Sequence, residues 1–245
     1  MTDFKKILKD GCTISSSGTT GTPKQIYRSP NNLEACNSVA IKDQDITSKS
    51  RIFTCTRMTH AGGLLLQSLP AYTLGCDVHI TKFNPFTFLK EFDSYTHTFL
   101  PPAMCNALIK TKGFKNADFT GKVIAMGSDV IPWDHIHKFV SKGATVIANW
   151  GMSEIGPCAI NTKFETLKYV ERHTEWAPNT LPIMGENLNC LYKIDYTNDQ
   201  LYIKSDLCIH NDWFATGDKV ELKYKIPQLG YFPILYYKGR LKDTS

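Results

Sequence analysis

Residues 122–148 read KVIAMGSDVIPWDHIHKFVSKGATVIA, and this stretch decides the fold class. Two short runs of apolar and β-branched residues, 122–125 and 144–148, flank a helical pattern at residues 133–141. A strand, a helix and a second strand in that order form the unit from which parallel sheets are built. The stretch therefore predicts an α/β fold.

The same alternation continues towards the amino terminus. Strands are predicted at residues 12–14, 51–55, 77–81 and 96–100, and helices at residues 32–42, 63–74, 85–92 and 102–110. Repeated alternation of this kind favours a largely parallel sheet that is covered by helices.

The pattern changes after residue 175. Only short strands are predicted there, at residues 188–195, 200–204, 219–225 and 234–238, and the segments between them are rich in Asn, Asp, Gly and Pro. We therefore expect an α/β domain over residues 1–175 and a small β-rich subdomain over residues 176–245.

The composition excludes several classes of protein. A chain of 245 residues with 42% hydrophobic and 21% charged residues is typical of a globular protein. The formal net charge of +5 rests mostly on lysine, and no run of five basic residues occurs. This argues against a nucleic-acid partner, whereas a mild positive charge suits an anionic small molecule.

The chain also has no apolar run of membrane-spanning length, and its first residues lack the apolar core of a signal peptide. Its eight cysteines lie far apart without a Cys-x-x-Cys pair, which argues against a disulfide framework or a zinc ribbon. We therefore expect a cytoplasmic protein with free thiols and no membrane partner.

Residues 15–24, SSSGTTGTPK, follow a predicted strand and combine hydroxyls, two glycines and a lysine. Glycine lets the backbone approach an anion, amides and hydroxyls donate to phosphate oxygens, and lysine adds a point charge. The stretch is not a Walker P-loop, because Pro23 precedes Lys24 and Gln25 follows it. The alternative interpretation is a flexible Ser/Thr/Gly surface loop.

The order SGTTGTPK at residues 17–24 resembles the phosphate-binding signature of the adenylate-forming superfamily. That superfamily comprises acyl-CoA synthetases, the adenylation domains of peptide synthetases and luciferases. The resemblance implies that ATP phosphates are bound by Ser17, Gly18, Thr19, Thr20, Gly21 and Lys24, with Thr20 and Lys24 in catalytic roles. Residues 1–175 would then be the nucleotide-binding domain.

Residues 149–154, NWGMSE, are similar to the superfamily's Tyr-Gly-x-Thr-Glu motif. The resemblance places Asn149, Trp150 and Gly151 at the nucleotide, with the indole stacked on adenine. Ser153 and Glu154 would both act in catalysis, Ser153 by contacting the α-phosphate and Glu154 as the ligand of Mg²⁺. The alternative is a buried tryptophan beside a strand end.

Residues 212–218, DWFATGD, resemble the Trp-x-x-Thr-Gly-Asp motif, in which Asp218 would accept hydrogen bonds from the ribose hydroxyls. Residues 237–243, YKGRLKD, resemble the motif that ends the superfamily's large domain. Arg240 would contact ribose or phosphate, and Asp243 would fall at the interdomain hinge. A structural Thr-Gly-Asp turn between two strands is the alternative for Asp218.

Three weaker matches lie in the expected order. Residues 59–64, THAGGL, resemble the border of the acyl pocket, and residues 99–102, FLPP, resemble a strand end before a helix. Residues 125–129, AMGSD, resemble the turn along the adenine and acyl sites, which would include Gly127, Ser128 and Asp129. Substrate-pocket positions are then expected at His60, Gly62, Gly63 and Gly156.

The resemblance implies activation of a small-molecule carboxylate with ATP and Mg²⁺ to give an acyl-adenylate and pyrophosphate. Coenzyme A or another thiol would then capture the acyl group. The alternative is a non-catalytic module or subunit that binds ATP or AMP. A metal site at His135 and His137 is a third and much less favoured alternative, because residues two apart point to different faces of a helix.

The sequence departs from the superfamily at both ends. About fourteen residues precede the phosphate-binding loop, and the chain stops two residues after the hinge position. We therefore expect thioester formation to be weak or to depend on a separate C-terminal domain partner. We also expect a homodimer that covers apolar surface bared near the amino terminus.

Overall fold

The computed structural model describes residues 2–16, 24–225 and 232–241. Its α-helices are α1 (Phe4–Asp10), α2 (Pro30–Gln44), α3 (Ala61–Gly63), α4 (Leu69–Thr73), α5 (Phe88–Phe92), α6 (Pro102–Ile109), α7 (Trp133–Val140) and α8 (Leu167–Trp176). A π-helical segment (Leu64–Ser68) joins α3 to α4, and two short 3-10 segments occur at Lys112–Asn116 and Pro178–Thr180.

The strands form three sheets. They are β1 (Cys12–Ser15), β2 (Gln25–Arg28), β3 (Arg51–Thr54), β4 (Asp77–Ile80), β5 (His97–Leu100), β6 (Val123–Met126), β7 (Thr145–Met152), β8 (Gly156–Phe164), β9 (Ile183–Gly185), β10 (Asn187–Leu188), β11 (Leu191–Asp195), β12 (Gln200–Lys204), β13 (Phe214–Lys225) and β14 (Phe232–Arg240). Strands β1 and β2 form an antiparallel hairpin.

A seven-stranded sheet in the order β10-β8-β7-β6-β5-β3-β4 forms the centre of the molecule. Strands β3 to β7 are parallel, whereas β8 runs antiparallel to β7 and β10 antiparallel to β8. All four residues of β5 are buried, as expected for a strand with helices on both faces. The predicted α/β class with a largely parallel, helix-covered sheet is confirmed.

Helix α2 packs its buried side on the sheet and follows directly from the β1–β2 hairpin. Ser29 caps its amino terminus by accepting a hydrogen bond from the backbone N–H of Asn32, and Pro30 occupies the first helical position. Leu33, Cys36 and Ala40 are completely buried on its inner side. Helix α2 therefore fixes the direction in which the chain leaves the hairpin.

A second sheet is antiparallel and has the order β11-β12-β13-β14-β9. It is confirmed as the β-rich region expected in the last third of the chain. Strand β10 also follows residue 176 but pairs with β8 in the central sheet. The domain boundary between residues 175 and 176 stays a prediction.

Several elements were not predicted from the sequence. Strand β8 lies at residues 156–164, where Pro157 and the polar run 161–163 obscure a strand pattern. Helices α1 and α8 were also missed, although Asp3 and Thr166 cap their first turns. Strand β7 extends four residues beyond the predicted end, to Met152. The missed strand and the extension together shape the site described below.

All eight cysteines are free, and five of them are buried, in agreement with the expected free thiols. Within residues 2–16, 24–225 and 232–241, no helix has both the length and the apolar character that crossing a membrane requires.

We expect Phe53→Ala to lower the free energy of unfolding by about 3–5 kcal/mol. Phe53 is 1% exposed, and its ring lies 5.5 Å from that of Phe88 and 5.9 Å from that of Phe92. The truncation leaves a cavity that rigid neighbours cannot close. Urea denaturation measures the change.

The control is Phe86→Ala, because Phe86 is 85% exposed and its truncation should change the free energy by about 0.5 kcal/mol or less. Equal effects of the two substitutions would contradict the placement of Phe53 in the core.

Candidate functional site

The predicted phosphate-binding residues Ser17, Gly18, Thr19, Thr20 and Gly21 lie outside the described residues. The hairpin holds the two ends of that segment together. The backbone N–H of Ser16 donates to the carbonyl of Lys24 at 2.9 Å, and the N–H of Lys24 donates to Ser16 Oγ at 3.1 Å. The Lys24 side chain is exposed to solvent.

A backbone bond connects the hairpin to the predicted pocket segment at residues 59–63. The N–H of Ser15 donates to the carbonyl of Thr59 at 2.8 Å. His60 directly precedes α3, and both glycines that follow are closely packed. A Cβ on Gly63 would lie 2.6 Å from the carbonyl oxygen of Arg57, and a Cβ on Gly62 would overlap the Phe99 ring.

Gly127 directly follows the carboxyl end of β6 and lies beside Asn149 of the neighbouring parallel strand β7. A Cβ on Gly127 would lie 2.5 Å from the carbonyl oxygen of Asn149. The Asn149 side chain is buried, and its Oδ1 accepts a hydrogen bond from the N–H of Cys158 at 2.6 Å. In open α/β sheets this edge is where ligands bind.

Ser128 adopts a left-handed backbone conformation with φ of 69°. A non-glycine residue in this conformation costs about 1 kcal/mol or more. Ser128 and Asp129 are both exposed, and Asp129 Oδ1 accepts from the N–H of Val130 at 2.7 Å. Residue 128 therefore has a backbone conformation that is usual for glycine, although it is a serine.

Trp150, Asp218 and Arg240 are brought together from three distant parts of the chain. Trp150 Nε1 donates to Asp218 Oδ2 at 3.0 Å. Arg240 lies opposite Asp218 in the pairing of β14 with β13, and its Nε is 3.8 Å from Asp218 Oδ1. The central sheet and the antiparallel sheet thus each supply part of this group.

The Asp218 side chain is buried, with 9% of its surface exposed. Burial raises its pKa above the usual range, and the hydrogen bond from Trp150 and the charge of Arg240 oppose that rise. A buried carboxylate with one donor on Oδ2 still has lone pairs for further hydroxyl donors.

Ser153 and Glu154 lie in the turn between β7 and β8, and both are half-buried. A Cβ on Gly151 would overlap the carbonyl oxygen of Gly156, and Gly156 has φ of 110°. The turn is therefore closed by two glycines in contact. Gly156, predicted for the substrate pocket, faces the buried Arg28 and Cys36 side chains.

Arg28 is a buried contact of this turn that the sequence analysis missed. Its side chain is 0% exposed, and Nη1 donates to the carbonyl of Ser153 at 2.9 Å. The alternation of β2 could have revealed it, because Ile26 and Arg28 point inwards while Gln25 and Tyr27 point outwards.

No group of three or more His, Cys, Asp or Glu side chains that could hold a metal occurs in the part of the chain that the structure describes.

Comparison with known proteins identifies the family of the chain. The sequence profile of the family "AMP-binding enzyme" matches residues 12–191, which is more than half of the chain. This range contains the hairpin, the central sheet and the β7–β8 turn.

Two curated relatives match 60% and 69% of this chain. The indoleacetate–CoA ligase of Aromatoleum aromaticum is 30% identical over 154 residues, which are 60% of this chain and 30% of that protein. The acyl-CoA synthetase FUM10 of Gibberella moniliformis is 28% identical over 179 residues, which are 69% of this chain and 31% of that protein. The chain spans about a third of the length of these relatives.

Solved structures share the fold over nearly the whole chain. The inhibitor-bound N-terminal domain of FACL13 from Mycobacterium tuberculosis has a TM-score of 0.72 at 20% identity, covering 94% of this chain and 60% of that one. O-succinylbenzoate coenzyme A synthetase from Bacillus subtilis, in complex with AMP, has a TM-score of 0.70 at 19% identity, covering 93% and 49%. The family profile, which covers more than half of the chain, establishes that the chain belongs to the AMP-binding enzyme family.

Proposed function

We propose that this chain binds ATP and activates a carboxylic acid as an acyl-adenylate. The observation that carries the proposal is the group formed by Trp150, Asp218 and Arg240. It joins an indole, a buried carboxylate and a guanidinium through contacts of 3.0 and 3.8 Å. Aromatic surface, hydroxyl acceptor and cation are the three kinds of group that a nucleoside phosphate requires.

In this proposal Asp218 accepts hydrogen bonds from the ribose hydroxyls. Its Oδ2 is oriented by Trp150 Nε1, and the nearby Arg240 favours the ionised carboxylate. Arg240 is partly exposed, so its guanidinium can turn towards ribose or phosphate. Asn149, Gly151, Gly127, Ser128 and Asp129 would line the remaining nucleotide surface.

The phosphates would be bound by residues 17–21, Lys24 and Ser153. Mg²⁺ fits Glu154, because that ion is held in proteins by one or two carboxylates together with phosphate oxygens and water. When bound, the ion would neutralise charge on the phosphate oxygens. Positioning and electrostatic stabilisation then account for most of the rate acceleration.

The first step is a nucleophilic substitution at the α-phosphorus of ATP. A carboxylate oxygen forms a bond to the α-phosphorus while the bond to the bridging β-phosphate oxygen breaks, and pyrophosphate leaves with the electron pair. A second step would transfer the acyl group from the adenylate to coenzyme A or another thiol, releasing AMP. His60, Gly62, Gly63 and Gly156 are proposed to border the acyl site.

The main test incubates the protein with MgATP and pooled carboxylates, including indoleacetate and ferulate, and detects acyl-AMP by mass spectrometry. Acyl-AMP supports the proposal. Binding of ATP or AMP in calorimetry without any product would instead support the alternative of a non-catalytic nucleotide-binding module. Absence of both product and binding would overturn both. The homodimer and the separate C-terminal domain partner stay predictions.

We expect Glu154→Gln to lower the rate of acyl-AMP formation by roughly 10²-fold, the scale of losing one electrostatic stabiliser. The substitution removes charge with little change of shape. The matched control is Glu171→Gln on the exposed side of α8, which should leave the rate unchanged. A Glu154→Gln protein with full activity would contradict the proposed role of that carboxylate.

We expect Asp218→Asn to weaken AMP and ATP binding roughly tenfold or more, because it replaces a charged acceptor by a neutral amide. Calorimetry measures the affinity. The control is Asp212→Asn, because the Asp212 side chain lies in the same segment and is 84% exposed. This variant should bind AMP and ATP with the affinity of the parent protein. Equal affinities of the three proteins would rule out Asp218 as a ribose contact.

The raised pKa of Asp218 also predicts a pH dependence. As the pH falls through that pKa, the carboxylate is protonated and nucleotide affinity should fall. This fall should occur at a higher pH than for an ordinary aspartate, whose pKa is about 4. Asp218→Asn should lack this change.

The corresponding effect on stability has the opposite sense. The folded chain binds the Asp218 proton more firmly than the unfolded chain does. The stabilisation that protonation gives is therefore complete below the pKa of Asp218 in the unfolded chain, and it is lost as the pH rises through its pKa in the folded chain. Asp218→Asn should therefore be at least as stable as the parent protein at pH 7. A large destabilisation in urea would contradict this sign.

A further inference from the structure

Arg28 is a completely buried cation whose hydrogen-bond acceptors are neutral groups. Nη1 donates to the carbonyl of Ser153 at 2.9 Å, and Nη2 donates to the carbonyls of Ile155 at 3.3 Å and Leu207 at 2.5 Å. Nη2 also contacts Cys36 Sγ at 3.0 Å. The charge is thus stabilised by carbonyl dipoles from two segments that are more than 120 residues away in the chain.

A buried charge is costly, and an apolar side chain of similar volume is often at least as stabilising at such a position. Nε of Arg28 is also buried without a hydrogen-bond partner among the described residues. General stability therefore gives little reason for a guanidinium here. The geometry of the guanidinium explains the arginine better, because its planar set of N–H groups can bind several carbonyl oxygens at fixed angles.

Two of the carbonyls that Arg28 binds belong to Ser153 and Ile155, the residues on either side of Glu154. The carbonyl of Glu154 itself accepts from the N–H of Ile209 at 2.9 Å, so all three successive carbonyls of residues 153–155 are bound from outside the turn. Two of those three bonds come from Arg28. The two peptide groups on either side of Glu154 have the carbonyls of Ser153, bound by Arg28, and of Glu154, bound by Ile209. These two bonds limit the directions in which the Glu154 side chain can point.

Arg28 also ends β2, the strand that leads out of the segment 17–24. One guanidinium therefore links the hairpin carrying that segment to the turn carrying Ser153 and Glu154. We propose that Arg28 is a positioning residue that holds the turn at residues 153–155 against the β1–β2 hairpin. Its consequence for catalysis rests on the proposed function above.

The segment at residues 206–208 provides an internal comparison. Asn32 Nδ2 donates to the carbonyls of Asp206 at 3.1 Å and Cys208 at 3.0 Å, so this segment stays bound to α2 without Arg28. Loss of the guanidinium should therefore loosen residues 153–155 more than residues 206–208. A merely general destabilisation would affect both segments and the central sheet alike.

The test compares Arg28→Met and Arg28→Lys with the parent protein and with Arg51→Met. Arg51 is half-exposed on the strand next to the sheet edge, where it pairs with Asp77, and serves as the matched arginine control. Amide hydrogen exchange is measured without nucleotide over residues 150–158, 206–209 and 123–126. Both Arg28 variants should exchange roughly tenfold faster over 150–158, with 123–126 unchanged.

A second measurement uses turnover. Both Arg28 variants should lower kcat for acyl-AMP formation roughly tenfold or more, with the KM of the acid unchanged, because the positioned groups act on the phosphate. Faster exchange over 150–158 in a chain without any adenylation would support the positioning role while overturning the proposed function. Unchanged exchange over 150–158 would overturn the positioning role, as would the failure of both variants to fold by circular dichroism.

Discussion

The contact between Gly151 and Gly156 is the constraint on which the arrangement of the site depends. A side chain on Gly151 would overlap the carbonyl of Gly156, and Gly156 takes a backbone conformation that L-residues avoid. This contact lets β8 return directly along β7 at the edge of the parallel sheet. The turn between them presents Ser153 and Glu154.

The reversal at this turn also determines what lies next to the central sheet. Strand β8 is antiparallel to β7 and pairs with β10, which lies in the chain between β9 and β11 of the second sheet. Asp218 on β13 reaches Trp150 on β7, and their hydrogen bond connects the two sheets. The nucleotide contacts proposed here depend on that meeting of the two sheets.

Two buried charges at this junction are stabilised in different ways. Asp218 has an indole donor and a nearby guanidinium, and burial still raises its pKa. Arg28 is surrounded by carbonyl oxygens and a thiol, and its cation opposes the rise that burial causes in the pKa of Cys36. Asp218 keeps acceptor capacity for a ligand, whereas the hydrogen bonds of Arg28 are directed to the protein's own backbone.

The amino-acid sequence by itself determined the α/β class, most strands and helices of the first 150 residues, and the order of the family motifs. These features are local: strand and helix periodicity, caps such as Ser29 before Pro30, and glycines at turns all act over a few residues. The roles proposed for residues 17–21 rest on sequence alone, since those residues lie outside the described part of the structure.

Only the tertiary structure decided where the distant pieces meet. The course of β8, the bond from Trp150 to Asp218 and the carbonyl partners of Arg28 each depend on residues 68 to 179 positions apart, or on a sheet edge that no local pattern specifies. Long-range pairing is set by the packing of complete elements, so neither the alternation of a strand nor a motif's spacing can reveal it.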